Sequence, residues 1–228
     1  MDVYTTEEQQ IEAIKKWWKT NGNSVLIGIA LAITAVLGWQ TWNQNKEANQ
    51  EAAAMMYGQL VEAAAGVQQK RLANDADALG EQVATLNHIG EELKTNFAGS
   101  EYAVFAALTM AKEYMFADEK EKAIEQLTWA KDNTQNQGIQ LIANLRLARV
   151  LADQQQFDKA LTQLDSVVPG VQADAYEEVR GDIYLAQGEA EKARAAYKKA
   201  MDLSATQNKG QSRPILKIKH DNLLVAGS

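Results

Sequence analysis

The sequence predicts an all-α protein in which a single transmembrane helix is followed by a superhelix of helical repeats. Three observations predict this class. Proline occurs only twice in 228 residues, while good helix formers such as Ala, Leu, Gln, Glu and Lys are abundant. A long segment near the N-terminus carries no charged side chain. A pattern of small and large residues then recurs three times in the second half of the chain.

The composition excludes several classes of protein. The chain has 23 Lys and Arg against 30 Asp and Glu, a net charge of -7, which argues against nucleic-acid binding. It has no cysteine, so disulfides, thiolate metal sites and cysteine nucleophiles are excluded. The two histidines, His88 and His220, are far apart in the sequence, and no phosphate loop, nucleophile elbow or zincin motif occurs. We predict a protein that is not an enzyme and has no catalytic, cofactor or metal site.

The first element is a predicted membrane span at residues 23–42, inside the uncharged segment between Lys19 and Lys46. As a helix at about 1.5 Å per residue it would be roughly 30 Å long, the thickness of a bilayer's hydrocarbon core. Four of the five tryptophans flank it, namely Trp17, Trp18, Trp39 and Trp42. Indoles prefer the membrane interface, and a buried helix of a soluble bundle would not explain their clustering at both ends.

A cleaved signal peptide would have a shorter apolar region that ends at a small-x-small site. Here the apolar region continues into a polar helix, so we predict an uncleaved anchor in the lipid bilayer. Three lysines precede the span, Lys15, Lys16 and Lys19, whereas only Lys46 follows closely. The positive-inside rule therefore predicts a short cytoplasmic N-terminus (1–22), the transmembrane helix (23–42) and an exported repeat domain (43–228).

Two small residues of the span, Gly28 and Ala32, lie one helical turn apart. Such spacing would allow close contact with another membrane helix. The alternative is that membrane helices are simply rich in small residues.

Each repeat is defined by five positions, and each position is counted from the one before it. They are a small residue, a large residue three positions later, Ala nine positions after that, a large residue four positions further on and an apolar residue after three more. Three copies fit, namely Ala111, Tyr114, Ala123, Leu127, Ala130; Ala148, Leu151, Ala160, Leu164, Val167; and Gly181, Tyr184, Ala193, Tyr197, Ala200. The copies are 37 and 33 residues apart. This pattern resembles the tetratricopeptide repeat, a helical hairpin with a period of about 34 residues. The third copy departs from it at Glu177, where an aromatic residue is usual.

In tetratricopeptide repeats the first helix of each hairpin lines the concave, partner-binding face. Carried onto this register, the resemblance implies eight binding positions: Phe105, Leu108, Lys112, Met115, Leu145, Arg149, Glu178 and Asp182. They would form a groove with an apolar end and a charged end, suited to an extended or helical partner segment. The alternative is that Leu108 and Leu145 pack in the core and the charges only solvate the surface.

Further elements are expected at both ends of this array. Residues 48–65 and 76–97 resemble a diverged repeat with a long polar connection around 68–75. At the other end, a short segment after Ser212 is expected to cap the open face of the last repeat. The predicted capping residues are Ile215, Leu216, Ile218, Leu223 and Leu224.

Three segments carry a resemblance to a known family: EAIKKWWK at 12–19, GWQTW at 38–42 and NLRLARV at 144–150. The sequence resembles the YfgM family, ancillary subunits of the bacterial SecYEG translocon. The resemblance implies a single-pass protein of the Gram-negative inner membrane with a periplasmic repeat domain. It also implies association with the SecYEG translocon and with the membrane-anchored chaperone PpiD, and transfer of unfolded secreted clients to periplasmic chaperones. The alternative is an anchored adaptor for another envelope assembly or a stress-signalling complex.

Overall fold

The computed structural model describes residues 7–207 and 213–225. Within these ranges the chain is helical and has no strand. The helices are α1 (Glu7–Leu72), α2 (Ala76–Asn96), α3 (Glu101–Phe116), α4 (Lys120–Asn133), α5 (Gln137–Asp153), α6 (Phe157–Asp165), α7 (Ala173–Ala186), α8 (Ala190–Gln207) and α9 (Pro214–Val225). A 3-10 turn, Gly170–Gln172, precedes α7. The chain divides into two units, Met1–Glu51 and Ala52–Ser228.

The first unit is the N-terminal part of α1. Its apolar side chains between Lys19 and Lys46 are exposed all round the helix, among them Leu26, Leu31 and Leu37. A helix that is apolar on every side needs an apolar environment, either a protein core or a membrane. Among the described residues, one helix is long and apolar enough to cross a membrane, and its most apolar window has a mean hydropathy of 1.8.

The second unit is built from helical hairpins that pack in the order of the sequence. The positions predicted at the helix crossings are buried, including Ala123, Ala160 and Ala193 with no exposed surface. Small side chains there let the two backbones of a hairpin approach each other. The predicted tetratricopeptide-like register is therefore confirmed.

All four turns within hairpins have the same three-residue geometry. One residue of each turn has a positive φ, namely Asn74, Asp118, Gln155 and Gly188. The next residue donates its backbone N–H to a carbonyl five residues earlier, as from Glu119 to Tyr114 at 2.8 Å. This is the Schellman arrangement, in which a left-handed residue ends the helix and satisfies its last carbonyls.

The first of these turns corrects one expectation. Residues 68–72 continue α1, so its connection to α2 is three residues long and not the long polar loop expected around 68–75. The polar residues 68–72 lie in the helix because the residue whose positive φ ends the helix is Asn74, which comes after them. Val67 and Leu79 occupy the positions that carry Ala111 and Ala123 in the next hairpin, which explains why the first repeat has diverged.

Helix α9 covers the end of the last hairpin, as predicted, but through fewer residues. Leu216 is buried against Ala193, Tyr197 and Ala200, and Leu223 packs beside it. Ile215 and Ile218 were wrongly predicted as capping residues, since they are 69% and 58% exposed. Only one face of a helix can meet the core, and it includes positions 216 and 223. The side chain of Leu224 lies outside the described residues.

Candidate functional site

The candidate site is a cleft of about 420 Å³ between the first helices of two neighbouring hairpins, α3 and α5. Its volume lies within the range of about 300–1,000 Å³ typical of ligand sites. Its apolar lining consists of Leu108, Ala111, Met115, Phe116, Leu127 and Val150. Its charged lining consists of Lys112, Arg146 and Arg149, so among the described residues no carboxylate lines it.

Helical spacing explains why these side chains meet. Leu108, Lys112 and Met115 follow one another at intervals of four and three residues on α3, so they share one face. Arg146 and Arg149 are three residues apart on α5 and share a face in the same way.

The three basic groups differ in how far their charge is compensated. The ammonium of Lys112 lies 3.6 Å from a carboxylate oxygen of Glu113 and 5.6 Å from the ring centre of Phe116. Glu113 itself is buried and forms a second ion pair with Arg71. Arg146 and Arg149 make no ion pair with any residue in the described ranges. Desolvation, together with repulsion from Arg149, lowers the pKa of the Arg146 guanidinium.

The structure brings together four of the eight predicted binding residues, Leu108, Lys112, Met115 and Arg149, in this cleft. Phe105 instead packs against Tyr57, with ring centres 6.0 Å apart. Leu145 is 6% exposed and belongs to the core. The packing alternative considered for the leucines therefore applies to Leu145, whereas Leu108 both packs and lines the cleft.

Glu178 and Asp182 contact helix α9. Lys219 lies 2.9 Å from Glu178 and 2.8 Å from Asp182, and Arg213 also pairs with Glu178. Burial would raise the pKa of Glu178, but the hydrogen bond from Lys219 and the charges of Lys219, Arg213 and Arg149 outweigh it, so the pKa is lowered. These carboxylates hold the capping helix in place.

A second cleft of about 480 Å³ lies between α5 and α7. Arg149 lines both clefts, and Asp182 lines the second, together with Phe157, Val179 and Ile183. The face formed by the first helices is therefore apolar and basic at α3 and α5, and changes to acidic at α7.

Sequence reasoning missed Arg146 and Phe116 as lining residues. Arg146 could have been found, because it lies three residues before Arg149 in the segment NLRLARV, a spacing that places both on one helix face. Phe116 is the last residue of α3 and is 59% exposed, so the repeat pattern gives no indication of its role.

Two other predictions concern sites elsewhere. Gly28 and Ala32 are exposed, and a Cβ at Gly28 would meet no atom within 4 Å, so their contact with another membrane helix stays a prediction. In the part of the chain that the structure describes, no group of three or more His, Cys, Asp or Glu side chains could hold a metal ion.

Comparison with known proteins gives a family for the chain. A family model described as a tetratricopeptide repeat-like domain matches residues 15–225. The chain is 30% identical over 225 residues to the ancillary SecYEG translocon subunit of Neisseria gonorrhoeae, which covers 98% of this chain and 100% of that protein. It is 27% identical over 206 residues to the subunit of the same name from Escherichia coli, covering 90% of this chain and 92% of the relative. The Haemophilus influenzae subunit of the same name is 29% identical over 218 residues, which cover 95% of this chain and 97% of that protein. No solved structure gives a significant match.

These matches extend over the apolar segment as well as the repeats, and they confirm the resemblance carried by the three sequence segments. The chain belongs to the family of ancillary SecYEG translocon subunits, proteins with a tetratricopeptide repeat-like domain.

Proposed function

We propose that this protein is a single-pass inner-membrane scaffold that associates with the SecYEG translocon and helps to pass secreted proteins to periplasmic chaperones. The observation that carries the proposal is the match to ancillary SecYEG translocon subunits along nearly the whole chain. In this proposal the repeat domain binds partner proteins, because tetratricopeptide-like hairpins form grooves that hold partner segments.

The proposed orientation has residues 1–22 in the cytoplasm and the repeat domain in the periplasm. It is supported by the three lysines before the span against one after it. A reporter that is active only outside the cytoplasm, fused after Ser228, should be active. Replacing Lys15, Lys16 and Lys19 with Gln should reduce that activity, because the retained positive charge is removed. Activity of a reporter that works only in the cytoplasm would contradict the orientation.

The proposed partners are the translocon, the chaperone PpiD and unfolded secreted proteins. The binding positions proposed for them are those that the structure leaves on the cleft, Leu108, Lys112, Met115 and Arg149. Glu178 and Asp182 are proposed as part of the same face only where α9 leaves them accessible, since both are paired with Lys219.

The experiment is purification of the tagged full-length protein from gently solubilised membranes, followed by mass spectrometry. Recovery of channel subunits together with a periplasmic chaperone is the expected result. Recovery of cell-wall or outer-membrane assembly enzymes without channel subunits would contradict the proposal and favour an adaptor for another envelope assembly. A matched preparation from cells that express only residues 1–51 shows which partners need the repeat domain.

A further inference from the structure

We propose that the cleft between α3 and α5 binds an acidic amphipathic segment of a partner protein, with apolar side chains on its floor and carboxylates on Arg146 and Arg149. This inference deepens the proposed scaffold function and rests on it, because the partner is taken to be a protein that meets the repeat domain at the translocon. It adds the chemistry of the segment that the repeat domain recognises.

The shape and lining of the cleft require an occupant with an apolar side. Leu108, Leu127 and Val150 form an apolar surface at its base, and Met115 and Phe116 extend it towards solvent. Phe116 is 59% exposed, which leaves an aromatic face uncovered at the rim. A small hydrophilic anion would leave this surface in contact with water, whereas Leu or Phe side chains of a bound peptide would bury it.

The charges that line the cleft favour an occupant that also carries carboxylates. Two guanidinium groups, those of Arg146 and Arg149, share one face of α5 and line the cleft, and no described carboxylate lies within ion-pair distance of either. Desolvation, and then repulsion from Arg149, lower the pKa of Arg146. Arginine binds a carboxylate through two parallel hydrogen bonds, so a Glu or Asp of the partner would compensate each charge. The protein as a whole has a net charge of -7, whereas the charged side chains that line this cleft are all basic, so the cleft attracts an acidic segment locally.

The repeat register shows that the charge at this position varies along the array. Lys112, Arg149 and Asp182 occupy equivalent positions, each six residues before the positive-φ residue of its hairpin turn. In the third repeat, the charge of Asp182 is compensated by Lys219 of α9 at 2.8 Å. In the second repeat, no described carboxylate lies within ion-pair distance of Arg149, although its charge helps to lower the pKa of Glu178 on α7. The two basic positions, Lys112 and Arg149, both line the cleft between α3 and α5, and no described carboxylate lines it, so an occupant of this cleft meets positive charge.

The test uses full-length protein in detergent micelles and two fluorescent helical peptides. Both peptides carry Leu along one face, and one has Glu and the other Lys at the flanking positions. Fluorescence anisotropy should show that the Glu peptide binds and the Lys peptide does not. Binding should weaken as salt is raised, because screening acts on exposed charge pairs. A Glu peptide whose Leu residues are replaced with Ser should bind more weakly, since it cannot fill the floor.

The decisive variant is R146E/R149E, which should bind the Lys peptide in preference to the Glu peptide. Its matched control is K198E/K217E, the same charge change on two exposed lysines outside the cleft, which should leave the preference for Glu intact. If the reversed variant loses its helical circular dichroism, the neutral variant R146Q/R149Q decides: affinity for the Glu peptide should fall about three- to tenfold.

Equal binding of both peptides, or a preference that R146E/R149E leaves unchanged, would overturn the inference. A change in oligomeric state caused by R146E/R149E, with no peptide bound by the parent protein, would also overturn it and assign the cleft to a second copy of the chain. If the parent protein binds no acidic peptide but still co-purifies with channel subunits, this inference fails and the proposed function stands. If it binds the peptide without co-purifying with the channel, the proposed function fails and the chemistry of the cleft stands.

Discussion

The replacement of Gly181 with Ala tests the packing of the third hairpin most sharply. A Cβ built on Gly181 would lie 2.5 Å from Cδ1 of Tyr197 and closer still to Cε1. The Tyr197 ring is fully buried, and its hydroxyl donates a hydrogen bond to Asp182 at 2.8 Å. It also packs against Ala193 and Leu216, so it cannot move aside without disturbing the α8–α9 contact.

The expected cost follows from two opposing effects. Overpacking of a close-packed core costs about 1–3 kcal/mol, and a contact this short belongs at the upper end, about 3 kcal/mol. Alanine is favoured over glycine inside a helix by about 1 kcal/mol. The free energy of unfolding should therefore fall by about 2 kcal/mol, which corresponds to a loss of about 4–8 °C in melting temperature for a domain of this size.

Thermal unfolding of the full-length protein, followed by far-ultraviolet circular dichroism, measures this effect. The matched control is Gly58→Ala in α1, where a Cβ would meet no atom within 4 Å. This control should raise the stability by about 0.5–1 kcal/mol, because only the backbone effect remains. In a Tyr197→Leu background, Gly181→Ala should cost little, since the ring is gone. If Gly181→Ala stabilised the protein as Gly58→Ala does, the close crossing of α7 and α8 would be refuted.

Two further predictions concern stability. Ala160 has no exposed surface, so Ala160→Leu should destabilise by about 1–3 kcal/mol, whereas Lys159→Leu on the exposed side should change the melting temperature little. The pKa of Glu178 is lowered from 4.5 because the hydrogen bond from Lys219 and the charges of Lys219, Arg213 and Arg149 outweigh its burial, so these interactions stabilise the fold above that pH. Glu178→Gln should therefore lower the melting temperature at neutral pH, and its difference from the parent protein should shrink as the pH falls below 4.5. A difference that is constant with pH would contradict this.

The repeat register could be predicted from the sequence because it depends on local sterics. A close helix crossing favours small side chains, so Ala111, Ala148 and Gly181 recur at nearly regular intervals and mark three of the hairpins. The same reasoning failed at the first hairpin, where the larger Val67 and Leu79 occupy the equivalent positions. There the pattern disappears although the turn geometry is retained.

The candidate site could be predicted only in part. The register predicted that Lys112 and Arg149 share one face of the array, and both line the cleft, because the direction of each side chain is set by its own helix. It could not show that Lys219 pairs with Glu178 and Asp182, because that contact joins residues 41 and 37 positions apart through the docking of α9. Tertiary contacts of this kind depend on where a separate helix packs, and neither periodicity nor spacing contains that information.

The central claim is that the face formed by the first helix of each hairpin binds proteins of the secretion channel, or proteins that work with it, on the periplasmic side of the membrane. Photo-crosslinking in living cells tests it most directly, with a benzophenone amino acid placed at Met115 on the cleft or at exposed Thr162 on α6. The account predicts adducts with channel subunits, a periplasmic chaperone or exported chains from position 115, and far fewer from position 162. Equal adducts from both positions, or adducts with cytoplasmic proteins alone, would contradict it.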